Sequence, residues 1–294
     1  MDAKVTYDVF QLPFWGMDVV LEQFFGGMAI GAFLFSAVLI LFSGHKWRKA
    51  AYIGAAVAPI GAGLSFVFLL SHLSHAQRIF YIFTSFNPGS PIMWGAWLQL
   101  IFGVISVFYL LSFVKKSALT RTRNIALLGI FPAFGVGVYH GFVLMVLRSH
   151  PLWNTGAVVV MSLTGFLLSG VSIVVLYLAV TKNLSELQDL KLVRVFLGGA
   201  AFVQLLSIFL WASSLYFGPG ESRAALMVFL EEYSLAFWGG LVFLGLFCPI
   251  ILGELAVLRE SYSSRVSGKI PALCSLLLLL GAFLIRFLIL AAEQ

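Results

Sequence analysis

The chain has 294 residues, of which 61% are hydrophobic and only 10% are charged, with a formal net charge of +6. Its two cysteines lie far apart and lack metal-ligand spacing, which excludes an iron–sulfur centre held by this chain. Covalent haem is excluded because no Cys-x-x-Cys-His sequence occurs. The basic residues follow the membrane pattern described below, so nucleic acid is not indicated as a partner.

Eight apolar runs follow one another along the sequence, each as long as the roughly 20 residues that a bilayer-spanning helix needs. They cover Val19–Phe42, Ala50–Leu70, Ile92–Val114, Asn124–Val146, Thr155–Val180, Val195–Leu215, Val228–Leu255 and Ala272–Ala291. The connections are too short for a soluble catalytic domain, so hydrophilic chemistry must belong to a partner subunit. We predict an all-α integral membrane protein of eight helices, forming one four-helix bundle from residues 19–146 and a second from residues 154–291.

The basic residues predict the orientation of the protein. Thirteen lie in the connections after runs 1, 3, 5 and 7: Lys46, Arg48, Lys49, Lys115, Lys116, Arg121, Arg123, Lys182, Lys191, Arg194, Arg259, Arg265 and Lys269. The opposite side carries Lys4, Arg78, Arg148 and Arg223. Because basic loops stay cytoplasmic, we predict a prokaryotic inner-membrane protein with both termini outside. Residues 1–18 lack the features of a signal peptide and are predicted to lie at the outer interface.

Polar and aromatic residues in and beside the runs gather near the predicted outer side, and a charge within lipid is costly and usually functional. They include Asp18, Glu22, Gln23, His72, His75, Arg78, Trp94, Trp97, Gln99, Tyr139, His140, Glu231, Glu232 and Arg286. The inner side has one embedded acid, Glu254, and Gln204 is the main polar residue near the centre of a run.

Two of these residues are hard to explain as ordinary interfacial groups. Glu22 lies about a turn inside the first run, beside the glycine-rich stretch 26–31, where a neighbouring helix can approach closely. Arg286 has no acid in its own run. We expect it to pair with Glu231 or Glu232, which are predicted to begin the seventh helix, where the helix dipole favours an acid.

One-sided clustering favours a site that a ligand enters from the lipid, and a quinone suits such a site. Its carbonyl oxygens need hydrogen-bond donors, its flat ring suits aromatic walls, and its apolar tail stays in lipid. Oxidation of a quinol releases two protons, so a carboxylate or imidazole is needed beside the ring. A haem between His72 and His140 is the competing cofactor, but only His45 lies on the inner side to ligate a second haem.

Four stretches carry a resemblance to a known family. Ser71–Gly103 contains His72, Arg78 and the sequence Ser90-Pro91-Ile92-Met93-Trp94-Gly95 in the family's order. FWGMDVVLEQFFGGMAIGAF is similar to the family's first span, VYHGFVLMVLRSHPLWN to its turn between spans 4 and 5, and GAFLIRFLIL to its closing span. Together they resemble the polysulfide reductase membrane subunit family, also called NrfD-like. The dimethyl sulfoxide reductase membrane anchor is a related eight-span protein.

The resemblance implies a quinone-binding membrane subunit of a three-part oxidoreductase, with menaquinone or ubiquinone as ligand and no haem or iron–sulfur cluster in this chain. A four-cluster iron–sulfur subunit would dock on the outer face and carry a molybdenum or tungsten bis-pterin catalytic subunit. The family's quinone site corresponds here to the region of Glu22, His72, Arg78 and Tyr139. The sequence departs from the family at Glu22 and Gln23, where Tyr or His is often found, and at His140, where Thr is usual.

We assign the catalytic roles to Glu22, His72 and Arg78. His72 is expected to donate to one quinone carbonyl, Tyr139 or His140 to the other, and Glu22 to exchange a proton. Arg78 would orient the acid or hold the iron–sulfur partner. Trp94 and Trp97 would form apolar walls, and no metal ligand set is expected.

The alternative function is a proton-coupled or small-molecule transporter. Its relay through the second bundle would use Gln204, Glu231, Glu254 and Arg286. The sequence does not determine the terminal substrate, the quinone type, the direction of electron flow, whether protons are pumped, or whether two complexes form a dimer.

Overall fold

The computed structural model describes residues 15–44, 46–73, 75–85, 87–181, 190–260 and 269–292. These residues form helices and connecting turns, with no strand among them. The helices are α1 (Met17–Ser43), α2 (Arg48–His72), α3 (Tyr81–Thr84), α4 (Pro91–Val114), α5 (Leu119–Met145), α6 (Ala157–Val180), α7 (Leu190–Tyr216), α8 (Gly220–Glu232), a π-helix (Leu235–Phe247), α9 (Cys248–Glu260) and α10 (Lys269–Ala291), with a 3-10 turn at Ala76–Phe80.

Eight helical segments are long and apolar enough to cross a membrane. The prediction of an all-α, multi-pass integral membrane protein is therefore confirmed. The predicted interfacial segment 1–18 lies largely outside the described residues, which begin at Trp15. We call the end of the molecule where α1 begins, α2 ends, α4 begins and α5 ends the N-terminal face.

The predicted seventh run, Val228–Leu255, is divided in the structure. Its first residues belong to α8, which begins at Gly220 after Pro219 and ends at Glu232. The π-helix Leu235–Phe247 follows, and α9 continues from Cys248. Glu231 and Glu232 therefore end a helix rather than begin one, which corrects the prediction. Hydropathy alone missed α8 because its first half, GESRAA, is too polar to appear in an apolar run.

Helices α1 and α6 occupy the centre of the molecule. Their most apolar windows are 72% and 67% buried, whereas the corresponding windows of the other six spans are between 28% and 56% buried. Glycines allow the two backbones to touch: a Cβ on Gly31 would lie 2.0 Å from the Phe166 carbonyl oxygen, and one on Gly170 would lie 2.0 Å from the Ala32 nitrogen. The close helix approach expected at the glycine-rich stretch of the first run is confirmed.

Two clusters of buried apolar side chains form the core. One includes Phe33, Phe102 and Tyr109, and the other includes Trp153 and Trp211. Helix α6 contributes side chains to both clusters. Helices α1 and α5 also contribute to both clusters, so the division into two bundles of four helices stays a prediction.

Candidate functional site

Two carboxylates on α1 begin the candidate site at the N-terminal face. Asp18 and Glu22 are four residues apart, so they lie one above the other on the same side of the helix. Asp18 Oδ2 lies 2.8 Å from His72 Nδ1 at the end of α2, and both side chains are 29% exposed. Glu22, a turn deeper, is only 7% exposed. The outer carboxylate is thus partly solvated, and the inner one depends on protein partners.

Glu22 finds those partners on two other helices. Ser65 of α2 donates to Glu22 Oε1 at 3.1 Å, and His140 Nε2 of α5 lies 3.2 Å from the same oxygen. His140 is itself oriented by its Nδ1, which lies 2.8 Å from the Val136 carbonyl oxygen. A buried carboxylate without such bonds would be strongly destabilising. We call Glu22, Ser65 and His140 the buried acid cluster.

The absence of a side chain at Gly26 makes room for this cluster. A Cβ there would lie 2.8 Å from Ser65 Oγ and 3.7 Å from His140 Nε2. Even a methyl group there would therefore displace the Ser65 hydroxyl. The glycine one turn after Glu22 has a specific function here, which is to let α2 and α5 bring their polar groups to one carboxylate.

The Ser-Pro-Ile-Met-Trp-Gly sequence builds the neighbouring wall. Ser90 Oγ accepts from the Met93 amide at 3.4 Å, and Pro91 occupies the first turn of α4, where a missing N–H costs nothing. A Cβ on Gly95 would lie 2.1 Å from the Tyr139 ring, so Gly95 seats that ring. The motif fixes the start of α4 and holds Tyr139 beside His140.

Three of the predicted site residues make their described contacts outside the buried acid cluster. Trp94 is 51% exposed and donates to the Pro88 carbonyl oxygen at 2.9 Å. Trp97 is 36% exposed, with its ring 5.1 Å from that of Phe83. Arg78 is exposed in the 3-10 turn and forms no ion pair with a described acid. Their roles stay predictions, as does that of His72, which contacts Asp18 rather than Glu22.

A second set of buried polar groups lies where α6, α7 and α10 meet. Arg286 is 5% exposed, and its guanidinium carbon lies 4.5 Å from the ring centre of Phe166. Gln204 is 1% exposed and accepts from Thr164 at 2.6 Å. A Cβ on Gly165 would lie 3.3 Å from Gln204 Oε1 and 3.4 Å from Arg286 Nη2. We call Arg286, Gln204 and Thr164 the α6 seam cluster.

This seam cluster has more donors than acceptors. Arg286 donates to the Ala282 carbonyl of its own helix, while its Nε and Nη2 atoms and Gln204 Nε2 have no partner among the described atoms. The guanidinium is therefore a buried charge whose counter-ion is not found among the described residues.

The expected pairing of Arg286 with Glu231 or Glu232 is not found. Both acids are exposed at the end of α8, and neither forms an ion pair with Arg286 in the described structure. Glu254 is also exposed, on α9. Arg286 turns toward α6 and the π-face of Phe166 instead. The predicted relay thus separates into the buried Gln204 and Arg286 and two exposed acids, Glu231 and Glu254, on other helices.

Sequence reasoning missed Ser65 and Phe166. Ser65 had a usable signal, because it lies two helical turns before His72 and so shares a face of α2 with it. Phe166 had none, since it is one aromatic residue in a continuous apolar run. Its ring contacts both polar clusters: it is nearly perpendicular to the His140 ring, with ring centres 5.4 Å apart, and the Arg286 guanidinium lies over its face.

The arrangement can exchange protons at a buried position. A carboxylate and an imidazole in contact can accept or release a proton within the membrane. No group of three or more His, Cys, Asp or Glu side chains that could hold a metal occurs in the described part of the protein.

Comparison with known proteins gives a family match along nearly the whole sequence. The family described as Polysulphide reductase, NrfD, matches residues 6–294. One of the constituent chains of polysulfide reductase from Wolinella succinogenes is 23% identical over 308 residues, covering 95% of this chain and 94% of that protein.

Two further relatives are named for other oxidoreductases. The Hdr-like menaquinol oxidoreductase integral membrane subunit of Archaeoglobus fulgidus is 29% identical over 250 residues, covering 81% of this chain and 62% of that protein. A protein of Halobacterium salinarum named for the membrane subunit of dimethyl sulfoxide reductase is 25% identical over 116 residues, covering 38% of this chain and 26% of that protein. With a family match over nearly its whole length and eight apolar helices in agreement, this chain belongs to the polysulphide reductase NrfD family.

Proposed function

We propose that this chain is the quinone-binding membrane subunit of a respiratory oxidoreductase complex. The observation that carries the proposal is the buried contact between Glu22 and His140, one helical turn deeper than Asp18 and beside Tyr139. Relatives named for polysulfide reductase and menaquinol oxidoreductase support a redox complex and a quinone ligand. Electrons would pass between the quinone and an iron–sulfur subunit that serves a molybdopterin-type catalytic subunit.

The chemistry assigned to this chain is binding and proton transfer. Tyr139 would help to hold the quinone ring, with its hydroxyl donating to one carbonyl oxygen. His72 would donate to the other through Nε2 in its protonated form, because its Nδ1–H is already directed at the Asp18 carboxylate. During quinol oxidation the Glu22–His140 pair takes one of the two protons. The iron–sulfur subunit would accept the electrons, and the partly exposed Asp18–His72 pair would pass protons to the N-terminal face.

The N-terminal face would be the outer side of a prokaryotic inner membrane, with both partner subunits docked there. The excess of basic residues in the opposite loops supports this orientation. A periplasmic reporter fused after Gln294 should be active, and a cytoplasmic reporter there should be inactive. The reverse result would contradict both the orientation and the position of the docking face.

The test of quinone binding uses the complex purified with its soluble subunits. His72→Ala should abolish quinol-driven reduction of the iron–sulfur subunit while an artificial dye still drives the catalytic subunit. His75→Ala is the matched control, because His75 is an exposed histidine in the same connection, and it should retain both activities. If His72→Ala keeps quinol-driven reduction, or loses both activities in a fully assembled complex, the assignment is wrong.

A further inference from the structure

The contact between Glu22 and His140 fixes how many protons the pair holds. His140 Nδ1 lies 2.8 Å from the Val136 carbonyl, which can only accept, so Nδ1 carries a hydrogen. A neutral imidazole then has a bare lone pair at Nε2, which lies 3.2 Å from Glu22 Oε1. Two acceptors do not attract at that distance, so one proton lies between them. The loaded pair is neutral overall, and losing that proton leaves it with one negative charge.

Arg286 is the permanent charge that faces this pair from α10. Its guanidinium carbon lies 4.5 Å from the centre of the Phe166 ring, and the His140 ring centre lies 5.4 Å from the same point. The two contacts place guanidinium and imidazole no more than about 10 Å apart. An arginine stays charged in a protein, and no described acid neutralises it.

Among the described titratable groups around the pair, Arg286 is the one whose charge has no partner of opposite sign. On α1 and α2, Asp18 and His72 engage each other at 2.8 Å. On α5, Tyr139 directly precedes His140, and on α4, Tyr109 bonds to Ser36 at 2.9 Å. Helix α6 carries no charged side chain. The basic residues of α2 and α5 lie in the first turns of those helices, at the end away from the Glu22–His140 pair: Arg48, Lys49, Arg121 and Arg123.

We propose that Arg286 sets the proton affinity of the Glu22–His140 pair across Phe166. Its charge favours the unloaded, negative state of the pair over the loaded, neutral state. The pair can therefore release a proton between turnovers instead of retaining it. As a part in quinol oxidation this inference rests on the proposed function, but the proton exchange itself is a property of the ligand-free protein. Arg286 is a positioning residue that acts through electrostatics and does not touch the quinone.

The test is an infrared pH titration of the purified complex without quinone. Glu22→Gln identifies the signal of the pair, because it should remove the protonation change. Arg286→Gln should shift the titration midpoint upward by about one pH unit, the effect of a charge about 10 Å away at an effective dielectric constant of about 20. Arg286→Lys keeps the charge and should leave the midpoint nearly unchanged. Equal midpoints in Arg286→Gln and the wild type would overturn the proposal. Equal midpoint shifts in Arg286→Gln and Arg286→Lys would overturn it as well.

A second variant covers the case in which Arg286→Gln fails to assemble. Gln204→Glu places an acid beside Arg286, because both side chains reach the space at Gly165. Neutralising the guanidinium in place should shift the midpoint upward, while the uncharged control Gln204→Leu should not shift it. An unchanged midpoint in an assembled Gln204→Glu complex would contradict the proposal.

Quinol turnover separates this inference from the proposed function. An unloaded pair is needed to accept a quinol proton, so activity should rise with pH through the midpoint, and Arg286→Gln should move that rise upward by the same interval. A midpoint shift in a complex without any quinol activity would support the electrostatic role and overturn the proposed function. Quinol activity with no midpoint shift in Arg286→Gln would support the proposed function and overturn the electrostatic role of Arg286.

Discussion

The buried acid cluster and the α6 seam cluster use buried polar groups in opposite ways. Around Glu22, groups from two other helices supply donors and acceptors that match, and one proton completes the set. Around Arg286, donors exceed acceptors and a positive charge has no described acid as a partner. The first arrangement suits proton exchange at a defined atom, whereas the second suits a fixed electric field. Phe166 contacts both, so the two are close without sharing a hydrogen bond.

The largest loss of activity is expected when the buried acid cluster itself is changed. Glu22→Gln keeps the size and the Ser65 hydrogen bond but removes the exchangeable proton. General acid–base catalysis contributes about 10²- to 10⁴-fold, so quinol-driven turnover should fall by about that factor while dye-driven turnover stays unchanged. Steady-state kinetics of the two assays on one preparation measure this. A loss of less than about tenfold would show that Glu22 is not the proton acceptor.

The next largest effect, a loss of stability, is expected when the contact between α1 and α6 is disrupted. Gly31→Ala drives a methyl group into the α6 backbone, because its Cβ would lie 2.0 Å from the Phe166 carbonyl oxygen. Overpacking typically costs about 1–3 kcal/mol or more, so thermal stability and assembly should fall. Gly63→Ala is the control, because nothing lies within 4 Å of its Cβ. Equal melting temperatures for the two variants would contradict the backbone contact between α1 and α6.

A smaller effect tests whether Arg286 lacks an acid partner. Arg286→Leu should lower the free energy of unfolding by less than about 2 kcal/mol, the worth of a desolvated cation–π contact. Removing one member of a buried ion pair would instead cost about 3–5 kcal/mol. Thermal melting of Arg286→Leu, alone and combined with Glu231→Gln or Glu232→Gln, distinguishes the two cases. A large loss that either second change partly restores would establish the pairing that the structure does not show.

The smallest effect belongs to the partly exposed pair at the face. Asp18→Asn removes the charge that holds His72 Nδ1, but exposed pairs are worth only about 0.2–1 kcal/mol. Stability should change by less than that upper value, while the Michaelis constant for quinol should rise because His72 loses its orientation. High salt should weaken the wild-type contact in the same direction. A drop in turnover as large as that of Glu22→Gln would place the essential proton step at Asp18.

Particular residues show how far the sequence predicted the site. Glu22 and Arg286 stand out because ionisable groups are rare in apolar runs, and both are buried as their positions suggested. Tyr139 and His140 were placed near Glu22 from their depth in the fourth run, and the contact of His140 with Glu22 agrees with this. The expected pairing of Arg286 with Glu231 or Glu232 is not found among the described residues, because depth along a helix does not give the direction in which a side chain points.

The sequence by itself determined that the protein has eight spans long enough for a membrane and which few polar residues need partners there. Both follow from the free energy of placing apolar or charged groups in lipid, which depends on composition and run length. Only the tertiary structure decided which partners they have. Ser65 with Glu22, Asp18 with His72, and Phe166 between His140 and Arg286 depend on the rotation and spacing of helices that glycines allow to touch, and no single run records that geometry.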